Sequence, residues 1–514
     1  MSILKTGAFI ALFTFISRIT GLARELVIAN FFGTNSYADA VNIAFKFPNL
    51  FRRLFAEGAL TSAFVPIYSK CTLDPQKNPT YFTSEIFTIL SLFLFLFTIV
   101  CEIFMPQIVM IIAPGFIENP DKMNLAILLC RITTPYLFFI SICALFGGVL
   151  SCHKKFGAFA IIPVILNISI ILFSFLGRDL YQKSVLVSIG IIAGGLIQLL
   201  VMIYSVRKYE PNIKLLNIKD LSDEGKIFLK NVVPATLSNG VTQLNLFISQ
   251  SIASFIPGSI SILSYADRLY QFPLSIIGVC FGVVLLPLLS KLHSAGDNEE
   301  VIRLQTNAIK TGLFLSCGAM CGIMTLAHPI IYVVYERGAF TPDDTIKTAN
   351  TLAIFATGLP AYILIKILTP IFYARLDAKS PMIITIITII TNLILNILLV
   401  LAGFEYLGIA IGTSISSWVN VFLLSYFCYK NKIKIIKESI QNFLRSILIS
   451  CVTMSLFLSA SFWSVNNYFY IMKTGAALVL LISIIIAALF LYIITSIFLK
   501  IVSINEIKLL TKMK

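Results

Sequence analysis

The sequence predicts an all-α polytopic membrane protein with about fourteen transmembrane helices, and three observations support this fold class. Hydrophobic residues make up 58% of the chain and charged residues only 12%, a balance that cannot cover the surface of a water-soluble protein. Apolar stretches such as 86–112, 185–204, 382–402 and 476–499 are each long enough to cross a hydrocarbon core of roughly 30 Å. Basic residues also alternate between abundant and scarce from one connection to the next.

The apolar stretches and the polar connections between them predict the helices in order. Residues 7–33 form the first helix, and Arg18, Arg24 and Glu25 distinguish it from a cleaved signal peptide. The remaining predicted helices are 37–69, 83–112, 123–151, 157–176, 184–206, 227–255, 260–290, 304–335, 347–374, 381–402, 407–429, 440–463 and 474–499.

The basic residues in the connections predict the orientation. The connections on one side contain 21 lysines and arginines, and those on the other side contain six, among them Lys122. The positive-inside rule places the basic side, and with it both termini, in the cytoplasm. The net charge of +15 then reflects loops that face anionic lipid headgroups, so no nucleic-acid partner is required.

An internal repeat relates the second and the eighth predicted helices. Ser-Tyr-Ala-Asp opens both copies, at residues 36–39 and 264–267, and Pro-x-x-Ser-Lys closes them, at residues 66–70 and 287–291. Since the second copy begins six helices after the first, an even number, the two copies run in the same direction. This arrangement predicts two six-helix lobes related by an axis along the membrane normal, with a central pathway.

The repeat also predicts the domain boundaries. The N-terminal lobe comprises residues 1–220 and the C-terminal lobe comprises residues 221–436. The last two helices lie outside the repeat, so residues 437–514 are predicted to be an appended helix pair with a cytoplasmic tail.

Arginines inside the predicted helices are the candidate functional residues. A cation in lipid costs about 2.5 to 3.5 kcal/mol on insertion scales, so such residues normally face a water-filled cavity or a partner. The forked donors of arginine suit phosphate, which favours a cationic site for a diphosphate. The arginines in this group are Arg18, Arg24, Arg52 and Arg268.

Further charged residues leave a second interpretation open. Arg53, Arg131 and Lys366 can equally extend to the membrane interface or pair with a carboxylate. Arg18 and Arg24 lie about 240° apart around a helix, so they share a face only if the helix bends at Gly21. The acids predicted to neutralise part of the positive charge are Glu25, Asp39, Glu57 and Asp267.

Signatures of other function classes are missing from the sequence. His153, His293 and His328 do not cluster, and no Gly-rich phosphate loop ends in Gly-Lys-Ser/Thr, which argues against an ATP-driven pump. Cys317 and Cys321 lie four residues apart in an apolar helix and are interpreted as packing residues. A membrane glycosyl or phosphoglycosyl transferase would need loops with paired carboxylates, and the loops here are short.

Several motifs together resemble one known family. These are Ser-Arg-Ile-Thr-Gly-Leu-Ala-Arg-Glu at 17–25, Phe-Arg-Arg-x-Phe-Ala-Glu-Gly at 51–58, Ala-Pro-Gly-Phe at 113–116, Tyr-Ala-Asp-Arg-Leu at 265–269 and Phe-Tyr-Ala-Arg at 372–375. Over nearly its whole length the chain resembles the MurJ (MviN) family of lipid II flippases. The resemblance implies the multidrug/oligosaccharidyl-lipid/polysaccharide exporter fold, with a groove for a lipid tail at the last two helices.

The resemblance also implies the activity. A flippase, not an enzyme, would move the undecaprenyl-diphosphate-linked peptidoglycan precursor lipid II across the bacterial cytoplasmic membrane by alternating access. Its partners would be lipid II, membrane lipids and cell-wall synthesis proteins. It would need no cofactor, and a coupling cation (Na⁺ or H⁺) or the membrane potential would drive it. The alternative is a cation-coupled exporter of drugs, or of other lipid-linked oligosaccharides, with the same fold.

Site residues follow from the same resemblance. Arg18, Arg24, Arg52 and Arg268 correspond to cavity arginines needed for flipping, and Asp39 corresponds to a cavity acid.

The remaining substrate-binding candidates, Arg53 and Glu57, lie beside Arg52 in the same motif. Relatives often carry a carboxylate three residues after the helix-eight arginine, where this sequence has Gln271. The motifs assign no metal ligand.

Overall fold

The computed structural model describes residues 3–53, 60–217, 220–436 and 440–499, and all regular secondary structure in these ranges is helical. The predicted all-α class is therefore confirmed. The α-helices are α1 (Ile3–Phe32), α2 (Ser36–Phe51), α3 (Leu60–Leu73), α4 (Pro79–Ile103), α5 (Met105–Ile112), α6 (Pro120–Thr133), α7 (Tyr136–Cys152), α8 (Gly157–Ser174), α9 (Leu180–Val206), α10 (Asp223–Ala253), α11 (Ser259–Ser294), α12 (Asn298–Tyr335), α13 (Pro342–Thr357), α14 (Leu359–Tyr373), α15 (Lys379–Leu399), α16 (Glu405–Lys430), α17 (Gln441–Phe469) and α18 (Thr474–Phe498). A 3-10 turn at Pro114–Glu118 and a π-helical turn at Val400–Phe404 complete the elements.

Each predicted transmembrane segment contains one of these α-helices or two in succession. Within the described ranges, nine helical stretches are long and apolar enough to cross a membrane, and one of them, Lys379–Lys430, includes both α15 and α16. The count of fourteen spans stays a prediction.

Prolines and glycines explain why some predicted helices are divided. Residues 123–151 were expected to form one helix, but α6 ends at Thr133 and α7 begins after Pro135. Proline has no backbone N–H and its ring clashes with the preceding turn, so the hydrogen-bond ladder stops there. Residues 347–374 divide in the same way at Gly358, just before Pro360.

Contacts within the chain group the helices into two compact units. Unit 1 comprises Met1–Ser261 and Arg337–Phe340, and unit 2 comprises Ile262–Glu336 and Thr341–Lys514. Helix α10 thus belongs to unit 1, although the repeat places it in the C-terminal lobe. The boundaries predicted from the repeat describe copies in the sequence rather than contacts, and they stay a prediction.

Unit 2 has a continuous apolar core to which the last two helices contribute. Residues of α12, α14, α17 and α18 pack together there, and the Tyr492 hydroxyl donates a hydrogen bond of 2.8 Å to the carbonyl oxygen of Phe314. The two rings stack with centroids 4.9 Å apart. The C-terminal pair is therefore anchored on α12 through close packing, the main source of helix association in lipid.

Candidate functional site

Arg24 is buried within unit 1, where Glu25, Asn167 and Phe45 contact its guanidinium group. Its Nη2 donates to Glu25 Oε1 at 2.5 Å, and its Nη1 donates to Asn167 Oδ1 at 3.1 Å. The guanidinium carbon lies 4.2 Å from the centroid of the Phe45 ring. An acid, an amide and an aromatic face together offset the cost of burying this cation. The arrangement fixes Arg24 against α8 and α2.

Asn167 was not predicted as a site residue, yet it connects α1 to α8. It is 5% exposed, and its Nδ2 donates to Thr20 Oγ1 at 3.2 Å and to the carbonyl oxygen of Ser17 at 3.4 Å. Its Oδ1 accepts from Arg24. The available signal was a single amide within the apolar run of α8, since a buried amide must satisfy its hydrogen bonds inside the protein.

Arg18 and Arg24 lie in different environments on α1. The Arg18 side chain is exposed, whereas Arg24 is 4% exposed. Helix α1 continues without interruption through Gly21, the position at which the sequence allowed a bend. The structure therefore does not bring the two arginines to one face.

Arg52 and Arg53 follow the end of α2. The backbone N–H of Arg52 donates to the carbonyl oxygens of Asn49 and Pro48, and its Nε donates to Asn49 Oδ1 at 3.0 Å. Arg52 is half-buried and Arg53 is exposed. Glu57, the other candidate in this motif, lies outside the described residues.

Arg268 lies in unit 2 on an exposed polar part of α11. Tyr265, Ala266 and Tyr270 are buried, whereas Arg268 and Gln271 are exposed. Gln271 Nε2 donates to Asp267 Oδ2 at 2.5 Å. The residue that replaces the carboxylate of relatives therefore binds the acid one turn earlier in the helix.

Asp39 is fully buried near the start of α2, where the Asn35 side chain caps the helix by accepting from the backbone N–H of Ala38. Lys122 Nζ lies 2.7 Å from Asp39 Oδ2, which also accepts from the backbone N–H of Gly258 at 3.0 Å. Asp39 Oδ1 accepts from the backbone N–H and the hydroxyl of Ser261 at 3.0 and 2.7 Å. We call Asp39, Lys122, Gly258 and Ser261 the Asp39 cluster.

The Asp39 cluster changes the interpretation of two residues. Lys122 was counted as a loop cation, but its ammonium is buried, 2.7 Å from Asp39 and 4.1 Å from the centroid of the Phe116 ring. The acid was expected to offset arginines, but the charge it pairs with is this lysine. It also binds the first turn of α11, where backbone N–H groups favour an anion. The predicted contact of Asp39 with substrate stays a prediction.

Two glycines allow connections of unit 1 to approach the ends of α1 and α2. Gly258 has φ +75°, and a Cβ there would lie 2.5 Å from the Thr34 carbonyl oxygen. Gly338 has φ +58°, and a Cβ there would lie 2.4 Å from the Asn30 carbonyl oxygen, which accepts from the backbone N–H of Ala339 at 2.9 Å. Any larger residue would be strained and would clash at both positions.

A second polar contact ties the connection before α10 to α4. The buried Glu85 carboxylate accepts from the backbone N–H of Ser222 at 2.7 Å and also from its hydroxyl. Nearby, Lys77 Nζ lies 2.8 Å from Glu224 Oε1. This hydrogen-bonded pair lowers the pKa of Glu224 and raises the pKa of Lys77.

Within the described ranges, no group of three or more His, Cys, Asp or Glu side chains is arranged to hold a metal ion.

Comparison with known proteins identifies the family. A family model described as "Lipid II flippase MurJ" matches residues 28–480. The protein named "Probable lipid II flippase MurJ" from Rickettsia prowazekii (strain Madrid E) is 47% identical over 459 residues, which cover 89% of this chain and 90% of that protein. A solved structure described as "Lipid II flippase MurJ, inward closed conformation" matches with a TM-score of 0.77 at 30% identity, covering 95% of this chain and 98% of that chain.

A more distant structural match supports the predicted exporter fold. An inward-facing multidrug resistance MATE family transporter of the MOP superfamily matches with a TM-score of 0.63 at 15% identity, covering 81% of this chain and 94% of that chain. This likeness concerns the fold alone. The family relationship confirms the resemblance found in the sequence motifs. The chain belongs to the lipid II flippase MurJ family, whose members are inner-membrane transporters and not enzymes.

Proposed function

We propose that this chain flips lipid II from the inner to the outer leaflet of the cytoplasmic membrane by alternating access. The observation that carries the proposal is Arg268, a cation exposed within the predicted span of α11 beside the exposed amide of Gln271. Exposure of a guanidinium to lipid would be costly, so this face of α11 is suited to water and to an anionic ligand. A diphosphate linked to a polyprenyl tail fits the forked donors of arginine.

The other predicted arginines have different parts in this proposal. The exposed Arg18 and the half-buried Arg52 supply further positive charge for the headgroup. The buried Arg24 contributes through its fixed position, since Glu25 and Asn167 bind two of its nitrogens. Arg53 and Glu57 remain proposed substrate residues on the evidence of their motif.

The lobes predicted at 1–220 and 221–436 are the proposed moving bodies, and the pair at 437–514 is the proposed support for the lipid tail. With both termini in the cytoplasm, the Asp39 cluster and the connection at Gly338 lie at the outer ends of their helices. We propose that substrate binding drives the change between the inward-facing and outward-facing states. A ligand drives such a change only by binding the two states with different affinity.

The proposed driving force is the membrane potential or a coupled Na⁺ or H⁺. Each elementary charge moved through the field is worth about 2.3 kcal/mol per 100 mV, enough to bias the cycle strongly. Enzymes that make and use lipid II are the proposed partners in cell-wall synthesis.

The test is translocation of lipid II in vesicles that contain the purified full chain, with and without an imposed potential. We expect transport that depends on the protein and is faster when the potential is imposed. Lipophilic cations should not compete. Export of a drug cation with no movement of lipid II would assign the chain to the alternative, a cation-coupled exporter of the same fold.

A further inference from the structure

Lys366 is exposed on α14, a helix whose other side chains are mostly buried or half-buried in unit 2. From Leu359 to Phe372, every other residue of α14 is buried or half-buried, whereas Lys366 is exposed. Ile363, next to it on the helix, and Ile367 are each 0% exposed. The helix packs against α12 and α16. Along α14, exposure is therefore limited to Lys366 and to Tyr373 at the end of the helix, which is 44% exposed.

Helix α15 shows what a helix with a broad exposed apolar face looks like in this unit. Its exposed side chains recur with helical spacing along its whole length, as a helix beside lipid requires. These residues are Met382, Ile386, Ile387, Ile390, Ile394, Ile397 and Leu398. Helix α14 has no comparable apolar stripe. The exposed lysine is therefore not part of an apolar face like that of α15.

Contacts place Lys366 beside the helix that carries Arg268. A Cβ on Gly278 of α11 would lie 3.9 Å from Lys366 Cγ. One turn before Lys366, the ring of Tyr362 lies 5.6 Å from the ring of Tyr270, also on α11. The two helices therefore approach each other at these two levels. Ten residues separate Arg268 from Gly278, which corresponds to about 15 Å along a helix axis.

The ammonium of Lys366 is not neutralised by its surroundings. Across the described part of the chain, no carboxylate lies within ion-pair distance of Lys366. A lysine within a membrane helix is expensive unless water or an anion meets it. Its charge is a compact point on a flexible stem, which can pair with a single anionic group such as a carboxylate.

We propose that Lys366 binds a second anionic group of the transported headgroup, a carboxylate of its peptide stem. This inference rests on the proposed function. A diphosphate is much shorter than the spacing of about 15 Å between the Arg268 and Gly278 levels of α11, so the two cations suit two separate anionic groups. A headgroup that carries a peptide places carboxylates at such a distance from its diphosphate. Lys366 then selects for headgroups that bear the stem.

The test compares two substrates in vesicles that contain the purified full chain. One is lipid II with its peptide stem, and the other is the same polyprenyl-diphosphate disaccharide without the stem. Lys366→Gln should lower the initial rate of transport of the stem-bearing substrate about tenfold more than that of the stem-free one, because a charge-assisted hydrogen bond is lost. Lys366→Arg should restore most of the preference. Arg268→Ala should reduce transport of both substrates by similar factors.

Lys347→Gln is the matched control, since Lys347 pairs with Asp343 at 2.6 Å at the start of the preceding helix α13. It should leave the ratio of the two rates unchanged. Transport of the stem-free substrate also reports whether the Lys366 variants are folded. Equal loss of both substrates in Lys366→Gln, or no change in their ratio, would overturn the inference. Failure of the wild-type chain to transport either substrate would instead overturn the proposed function, and the inference with it.

Discussion

The charged side chains of the Asp39 cluster in unit 1 are buried, whereas those on the exposed face of α11 in unit 2 are accessible. Asp39 and Lys122 are buried together. Three further donors bind the carboxylate: the backbone N–H of Gly258, and the backbone N–H and hydroxyl of Ser261. Arg268 and Gln271 instead remain exposed, although they lie on a helix predicted to cross the membrane.

The difference distinguishes structural from ligand-binding charges. A buried charge whose hydrogen bonds are all satisfied by the protein is tolerated in the folded state as long as its partners are present. Removing one partner lowers the free energy of unfolding strongly. An exposed cation in a membrane helix is costly in lipid and is therefore a functional candidate. The comparison predicts that substitutions in the two regions affect different measurements.

Arg268→Ala should have the largest effect. We expect normal insertion and abundance but no complementation of a strain depleted of its lipid II flippase, because the exposed guanidinium is lost. Arg268→Lys should restore growth only in part, since the forked donor geometry is absent. Growth is measured after depletion, with protein abundance measured in the same membranes.

Arg303→Ala is the control for this prediction. Arg303 is an exposed arginine near the start of α12, and its Nη1 lies 3.6 Å from Glu300. Such an exposed ion pair contributes only about 0–1 kcal/mol to the free energy of unfolding, so growth should be unaffected. Wild-type growth with Arg268→Ala would show that the exposed arginine is not needed, and the proposed distinction between the two regions would be lost.

Asp39→Asn should act on stability first. It leaves the buried Lys122 ammonium without its counter-charge, a loss of about 3 to 5 kcal/mol for a broken buried pair. The measurement is the free energy of unfolding in detergent. Lys122→Met combined with Asp39→Asn should cost less than the sum of the two single changes, because the two residues interact directly. Unchanged stability together with lost transport would instead favour the substrate contact predicted for Asp39.

The sequence predicted the class of the fold better than its connections. Hydropathy alone located the helical segments, because a lipid-spanning helix must be apolar over its length. It did not show that the segment at 123–151 divides at Pro135, since prolines are also tolerated within membrane helices. It also did not show that α10 packs with unit 1, which depends on contacts such as that between Ser251 and Ile112.

The site was predicted unevenly for a related reason. The arginines could be recognised one at a time, because each violates the apolar pattern around it. The pairing of Asp39 with Lys122 joins residues 83 positions apart and requires the folded chain. Asn167 carried a signal of the same kind as the arginines, although an amide is less conspicuous than a charge. Its contact with Arg24 depends on how α1 and α8 pack in the folded chain.

Asn167→Ala should have an intermediate effect. It removes the acceptor of Arg24 Nη1 and the donor to Thr20, and an unsatisfied buried polar group costs about 1 to 3 kcal/mol, more if it is charged. Both stability and transport should decline, because Arg24 is no longer fixed to α8. Ser174→Ala is the control on the same helix, since its hydroxyl donates only to the carbonyl oxygen of Ile171. A normal Asn167→Ala protein would show that Glu25 and Phe45 suffice to position Arg24.

The smallest expected effect concerns the pair of Lys77 and Glu224, which lies outside the membrane spans. The hydrogen bond from Lys77 lowers the pKa of Glu224, so the pair contributes stability above the unfolded pKa of the acid and loses it as the pH falls through the folded pKa. The raised pKa of Lys77 sets the upper limit, where the contribution is lost as the pH rises through that value. Glu224→Gln should therefore lower the Tm slightly at neutral pH and not at all in strongly acidic buffer.

Because the Lys77 side chain is 42% exposed, about 1 M salt should also remove the difference. Lys77→Gln should behave in the same way, and a Tm difference that persisted at low pH or in salt would mean that Glu224 stabilises the start of α10 independently of Lys77.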